Sequence, residues 1–67
     1  MKNYKVAHLN ISRQTSDSDI DKRLADAINE YAQKDWQLHT IIPVQTIESE
    51  PFRFRFILEQ IPKPFIG

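Results

Sequence analysis

Leu24-Ala-Asp-Ala-Ile-Asn-Glu-Tyr-Ala-Gln-Lys-Asp-Trp-Gln-Leu38 is the stretch on which the reading of this chain turns. Its first part repeats with a helical period, so that Leu24, Ala27, Ile28 and Tyr31 fall on one face. At Trp36 the period changes to two, and Trp36 and Leu38 share one face of a strand. Where those two faces meet, they predict the centre of the single core that a chain this short can build.

Working toward the N-terminus, the helical pattern extends back through Ile20, and the helix is predicted over residues 19–34, bounded to within a few residues. Ser18 is the expected N-cap, with Asp21 three residues on in the place a capping-box Glu would take. Asp19 and Asp21 also suit the positive end of the helix dipole. Lys22, Asp26, Asn29 and Gln33 face water, and Asp19–Arg23 and Glu30–Lys34 are acid-first pairs at the i, i+4 spacing. No glycine closes the helix, so Asp35 is the residue expected to take the left-handed position at its end.

Residues 12–18 are polar turn and cap material. Before them, residues 3–11 alternate loosely and predict a first strand. Tyr4, Val6 and His8 fall on one face of that strand and Lys5, Ala7, Leu9 and Ile11 on the other. Both rows carry apolar residues, and periodicity alone does not choose between them. We expect the row with Tyr4 and Val6 to face the helix.

Beyond Trp36, strict alternation sets Trp36, Leu38, Thr40, Ile42 and Val44 on one face and Gln37, His39, Ile41, Pro43 and Gln45 on the other. Pro43 cannot donate to a ladder, so this strand belongs at a sheet edge. Residues 47–51 form a polar turn. Residues 52–60 are the clearest strand, with Phe52, Phe54, Phe56 and Leu58 alternating with Arg53, Arg55, Ile57 and Glu59.

This order predicts an α+β fold, a β-α-β-β module. A right-handed crossover leaves the first two strands parallel, and the third fits between them, antiparallel to both. The expected sheet has the order 1-3-2, with one helix packed on one face. Residues 1–60 make the single domain, and 61–67 an extended tail held open by Pro62 and Pro64.

Ile28-Asn-Glu-Tyr-Ala-Gln-Lys-Asp-Trp-Gln-Leu38 resembles the Leu-Asn-x-Leu-Gly-x-x-Gly-Trp-Glu-Leu signature of a small bacterial and phage family, the domain of unknown function 4177. The opening Tyr4-Lys-Val6 and the basic, aromatic last strand are also similar to that family, over most of residues 3–59. The family's two glycines fall here at Ala32 and Asp35. The resemblance implies a strand–helix–strand–strand fold and carries no activity with it.

Composition narrows the function classes. The chain has 67 residues and no cysteine, which removes disulfides and thiolate zinc sites as sources of stability. A domain of this size hides only about 60% of the surface its unfolded chain exposes, and oligomerisation is the remaining helper to expect. Behind Met1-Lys2-Asn3-Tyr4 there is no apolar run, and no stretch approaches membrane-spanning length. A cytoplasmic protein without a membrane role is the expectation. The formal net charge is zero, but residues 17–35 carry a net −3 and the remainder +3. An acidic helix and basic strands result, and a freely solvated helix surface is the plain account of the first.

Nothing in the sequence assembles a reaction centre. The single glycine is Gly67, so there is no phosphate cradle. Ser12, Ser16, Ser18 and Ser49 sit in caps and turns, and no pair of carboxylates shares a buried place. His8 and His39 are predicted on opposite sheet faces, which separates them as metal ligands. We therefore expect a non-enzyme with no cofactor and no metal.

Two classes of function remain. The first is a self-associating protein-interaction module that binds itself, as a dimer or higher, or another protein. Its surface is expected on the sheet face away from the helix, where Ala7, Leu9, Ile41 and Ile57 lie among Lys5, His39, Arg53 and Arg55. Ile61, Phe65 and Ile66 in the tail would add an apolar arm. The alternative is nucleic-acid binding through the same face, since Phe-Arg-Phe-Arg-Phe is superficially similar to the strands of sheet-based RNA readers. That mode needs outward aromatics, whereas alternation sends Phe52, Phe54 and Phe56 to the side of Trp36. With no net charge the electrostatic footprint is also weak.

Overall fold

The computed structural model describes residues 2–62 and has the order β1 (Tyr4–Ile11), α1 (Asp17–Gln33), β2 (Trp36–Val44) and β3 (Phe52–Gln60). The strands form one sheet in the order β1-β3-β2, with both outer strands antiparallel to β3. This is the expected α+β arrangement, with the Phe-rich strand central and the Pro43 strand at an edge.

The helix begins two residues earlier than its sequence pattern indicated. Ser16, not Ser18, is the N-cap, and its hydroxyl accepts a hydrogen bond from the Asp19 backbone N–H at 3.3 Å. Its extended backbone (φ −65°, ψ 156°) aims that oxygen at the first turn. At the other end Asp35 takes the left-handed conformation, φ 68°, as expected. Its N–H reaches the Ala32 carbonyl at 3.1 Å, and the chain turns directly into Trp36.

The choice of inward row on β1 is the reverse of the expectation. Ala7 and Ile11 are buried and Leu9 packs on the core, whereas Tyr4 and Val6 are more than half exposed on the opposite face. Burying the Tyr4 row would have taken His8 and Asn10 out of water, at about 1–3 kcal/mol for each unsatisfied group. The chosen row has one polar member, Lys5, at its end. Its ammonium stays at the rim, 5.6 Å from the ring centres of both Tyr31 and Trp36.

A second correction lies in β2. The pairing slips between Leu38 and Thr40, a bulge at His39. Downstream of it Ile41 pairs with Phe56 and Pro43 with Phe54 on the helix side, while Thr40, Ile42 and Val44 turn to the open side. The ladder gives the reason. The Gln60 N–H donates to the Asn3 carbonyl, so Asn3 and Gln60 are a hydrogen-bonded pair. With the uninterrupted register of β1 on β3, residues 58, 56, 54 and 52 then bond toward β1, and residues 59, 57, 55 and 53 toward β2. Without the bulge, Pro43 would face Arg53 and set its donorless nitrogen inside the ladder. With it, Pro43 faces Phe54 and the nitrogen lies on the free edge.

The core is centred on β3. Phe56 and Leu58 are buried, with Ala7 beside them, and Leu24, Ala27, Tyr31, Trp36 and Leu38 close over this centre. Tyr31 meets Phe56 edge to face, with ring centres 6.5 Å apart. Trp36 is half-buried and packs against this cluster. Among the described residues no polar side chain is buried.

Candidate functional site

The surface opposite the helix is built from alternate residues of all three strands. Tyr4, Val6, His8 and Asn10 come from β1, Arg53, Arg55, Ile57 and Glu59 from β3, and Thr40, Ile42 and Val44 from β2. The register aligns them in rows. Val6, Ile57 and Thr40 form one row, and His8, Arg55 and Ile42 the next. Tyr4, Val6 and Ile42 are 53%, 55% and 40% exposed around Ile57.

Polar groups on this face are tied down among themselves. Arg55 Nε donates to His8 Nε2 at 3.3 Å, so that ring nitrogen is the acceptor. Arg53 Nε donates to Asn10 Oδ1 at 3.2 Å. Both guanidinium groups therefore lean toward β1. The Tyr4 and His39 rings meet edge to face at 5.9 Å, and His39 Nδ1 shares a hydrogen bond with Thr40 Oγ1 at 2.9 Å.

Of the eight residues expected on the partner surface, His39, Arg53, Arg55 and Ile57 lie on the open face. Lys5, Ala7, Leu9 and Ile41 do not. Ala7 is buried, Leu9 and Ile41 pack on the core, and Lys5 lies over Tyr31 and Trp36 on the helix side. Tyr4, Val6, His8, Asn10 and Ile42 take their places. The signal that could have found the β1 members was the pair His8 and Asn10, polar side chains on the row first assigned to the core. Nothing in the sequence marks Ile42, because the bulge moves it.

His8 and His39 share the open face, contrary to the expectation of opposite faces. Each has its own partner. Among the described residues no three acidic or imidazole side chains gather as metal ligands. No described helix is long and apolar enough to cross a membrane.

At the far end of the sheet Arg13 clasps the β2–β3 loop. Nε donates to the Glu50 carbonyl at 2.7 Å, and one terminal nitrogen donates to both the carbonyl and the hydroxyl of Thr46 at 3.1 and 2.8 Å. Its guanidinium carbon stands 4.6 Å from the centre of the Phe52 ring. The hollow of about 320 Å³ beside it is lined by this clasp and by Ser12, Glu48 and Pro51. At the opposite end Lys2 Nζ lies 3.2 Å from Glu59 Oε1, and this bond raises the lysine above its usual value of 10.5. A raised lysine stabilises the fold below that value and loses the contribution as pH climbs past it, so the lysine's contribution does not change with pH near neutrality.

Ile61, the first tail residue, donates its N–H to the Asp35 carbonyl at 2.7 Å and is half-buried. Phe65 and Ile66, the rest of the expected apolar arm, lie outside the described residues.

Comparison with protein-family models, with curated proteins and with solved structures finds no match to this chain.

Proposed function

We propose that this chain is a non-catalytic protein-interaction module that associates with a second copy of itself through the open sheet face. The observation that carries the reading is the contiguous exposure of Tyr4, Val6 and Ile42 around Ile57. An apolar centre with Arg53, Arg55 and Glu59 at its margins has the make-up of an interface. A second copy is the occupant because the domain itself buries so little: Ala7, Ile11, Phe56 and Leu58 are its buried described residues. Burial against a partner supplies what a cysteine-free chain of this size lacks. The Trp36 register supports placing the chain with the 4177 family, which adds no activity.

Light scattering over a concentration series tests the proposal. Self-association of the wild type is expected, with Ile42→Asp and Ile57→Lys weakening it while the fold is kept. A wild type that stays monomeric at high micromolar concentration overturns it. Nucleic-acid binding through Arg53 and Arg55 is the other outcome. It would appear as affinity for single strands that falls steeply with salt and flattens when both arginines become alanine. Both arginines are already bonded to β1 residues, and Phe52, Phe54 and Phe56 face the helix side, which favours the protein reading.

A further inference from the structure

The two edges of this sheet are not equally protected. On β2, Pro43 leaves a gap in the outward row of donors, and the bulge at His39 breaks the flat edge upstream of it. On β1 there is neither proline nor bulge, and eight residues, Tyr4 to Ile11, pair with β3 in one unbroken register. The helix backbone runs nearest β2, at the far side of the sheet. Because Lys5, Ala7, Leu9 and Ile11 bond inward to β3, the backbone N–H and C=O groups of Tyr4, Val6, His8 and Asn10 point out from the edge. All four residues are exposed. A long, regular, unprotected edge is a template for another strand.

We propose that the strand it takes is β1 of a second copy, antiparallel about a two-fold axis at Ala7, making one continuous six-stranded sheet. This rests on the self-association proposed above and adds to its open-face contact a second one, along the sheet edge. The register follows from the outward groups. Antiparallel bonding joins outward residues only to outward residues, so Tyr4 faces Asn10 of the second copy and Val6 faces its His8. These facing pairs exchange about eight hydrogen bonds in all, more than a register shifted by two residues can make. On the helix side the small Ala7 meets its own copy at the axis, where larger side chains would collide. Lys5 stands opposite Leu9 of the second copy, so the two ammonium groups do not meet. Each ammonium is drawn toward Tyr31 and Trp36, away from the edge. On the other side the two open faces become one, the Val6–Ile57 row of each copy continuing into the His8–Arg55–Ile42 row of the other.

Backbone amide exchange of the full chain, measured by NMR at dilute and concentrated protein, tests this proposal. The amides of Lys5, Ala7, Leu9 and Ile11 should be slow at both concentrations. Those of Val6 and His8 should be fast when dilute and slow by at least about tenfold when the protein associates. His8→Pro removes one outward donor that the monomer does not use. It should weaken association at least about tenfold more than His8→Ala, which loses the same side chain but keeps the donor, while far-ultraviolet circular dichroism of both stays native. Association by light scattering with Val6 and His8 amides still fast overturns the edge pairing and leaves the self-association reading standing. No association at high micromolar concentration overturns both. Should His8→Pro fail to fold, the exchange measurement on the wild type decides alone.

Discussion

Asp35 carries the chain from helix to strand with φ at 68°, a conformation that costs any residue with a Cβ about 1 kcal/mol. Replacing it by Gly and by Ala removes the same carboxylate in both cases, so the comparison isolates the backbone. Asp35→Gly should be about 1 kcal/mol more stable than Asp35→Ala in urea unfolding. Equal stabilities would mean that the backbone relaxes out of the left-handed region. The core residues rank by burial, not by size. Phe56 is 1% exposed, whereas Trp36 is half-buried with Lys5 near its ring. Phe56→Ala should cost about 3–5 kcal/mol, enough to unfold a domain of this size, and Trp36→Ala less. The native tryptophan emission should lie between that of a buried and a free indole. Unfolding curves in which Trp36→Ala costs the more would place the core centre elsewhere.

For the elements, the bulge in β2 carries the most consequence. It brings Ile41 inward opposite Phe56 and sets the Pro43 nitrogen on the free edge. Moving the proline by one residue, as Ile42→Pro combined with Pro43→Val, sets the donorless nitrogen inside the ladder opposite Arg55. That double variant should lose at least about 1–3 kcal/mol, while Pro43→Val alone should be close to neutral. Denaturant midpoints of the two proteins give the difference directly, and equal midpoints would contradict the ladder phase described for β2 and β3. The same phase fixes which β1 groups point outward, so this pair of variants also bears on the edge assignment.

For the whole molecule, the proposed self-association ties stability to concentration. If a second copy covers the open face, folding and binding are linked, and the midpoint of thermal unfolding should rise with protein concentration. The gain is bounded at about 1.4 kcal/mol for each tenfold rise. Ile42→Asp should lessen the dependence while keeping the monomer's fold, because Ile42 stands on the open face. Ile41→Asp, one residue away, should unfold the protein at every concentration, because Ile41 packs on the core. A concentration-independent midpoint in the wild type would argue against the linkage.

The sequence by itself determined the elements and their order. Leu24, Ala27 and Tyr31 mark the helix face, the Phe52–Leu58 alternation marks the central strand, Pro43 marks the edge, and Asp35 marks the helix end. Each of these is a local signal, carried by a period, a missing donor or a short polar side chain. Which side of the outer strands faces the core was decided only by the tertiary structure. On β1 both rows hold apolar residues, and the choice rested on the cost of burying His8 and Asn10 against that of a rim lysine. On β2 a single extra residue in the ladder reverses every side chain after His39, since a strand's period is two. Pro43 required that reversal only because of how β3 divides its hydrogen bonds between its two neighbours, a phase set by pairing across the sheet. The proposed partner surface therefore moved from Ala7, Leu9 and Ile41 to Tyr4, Val6 and Ile42, within the strands already expected.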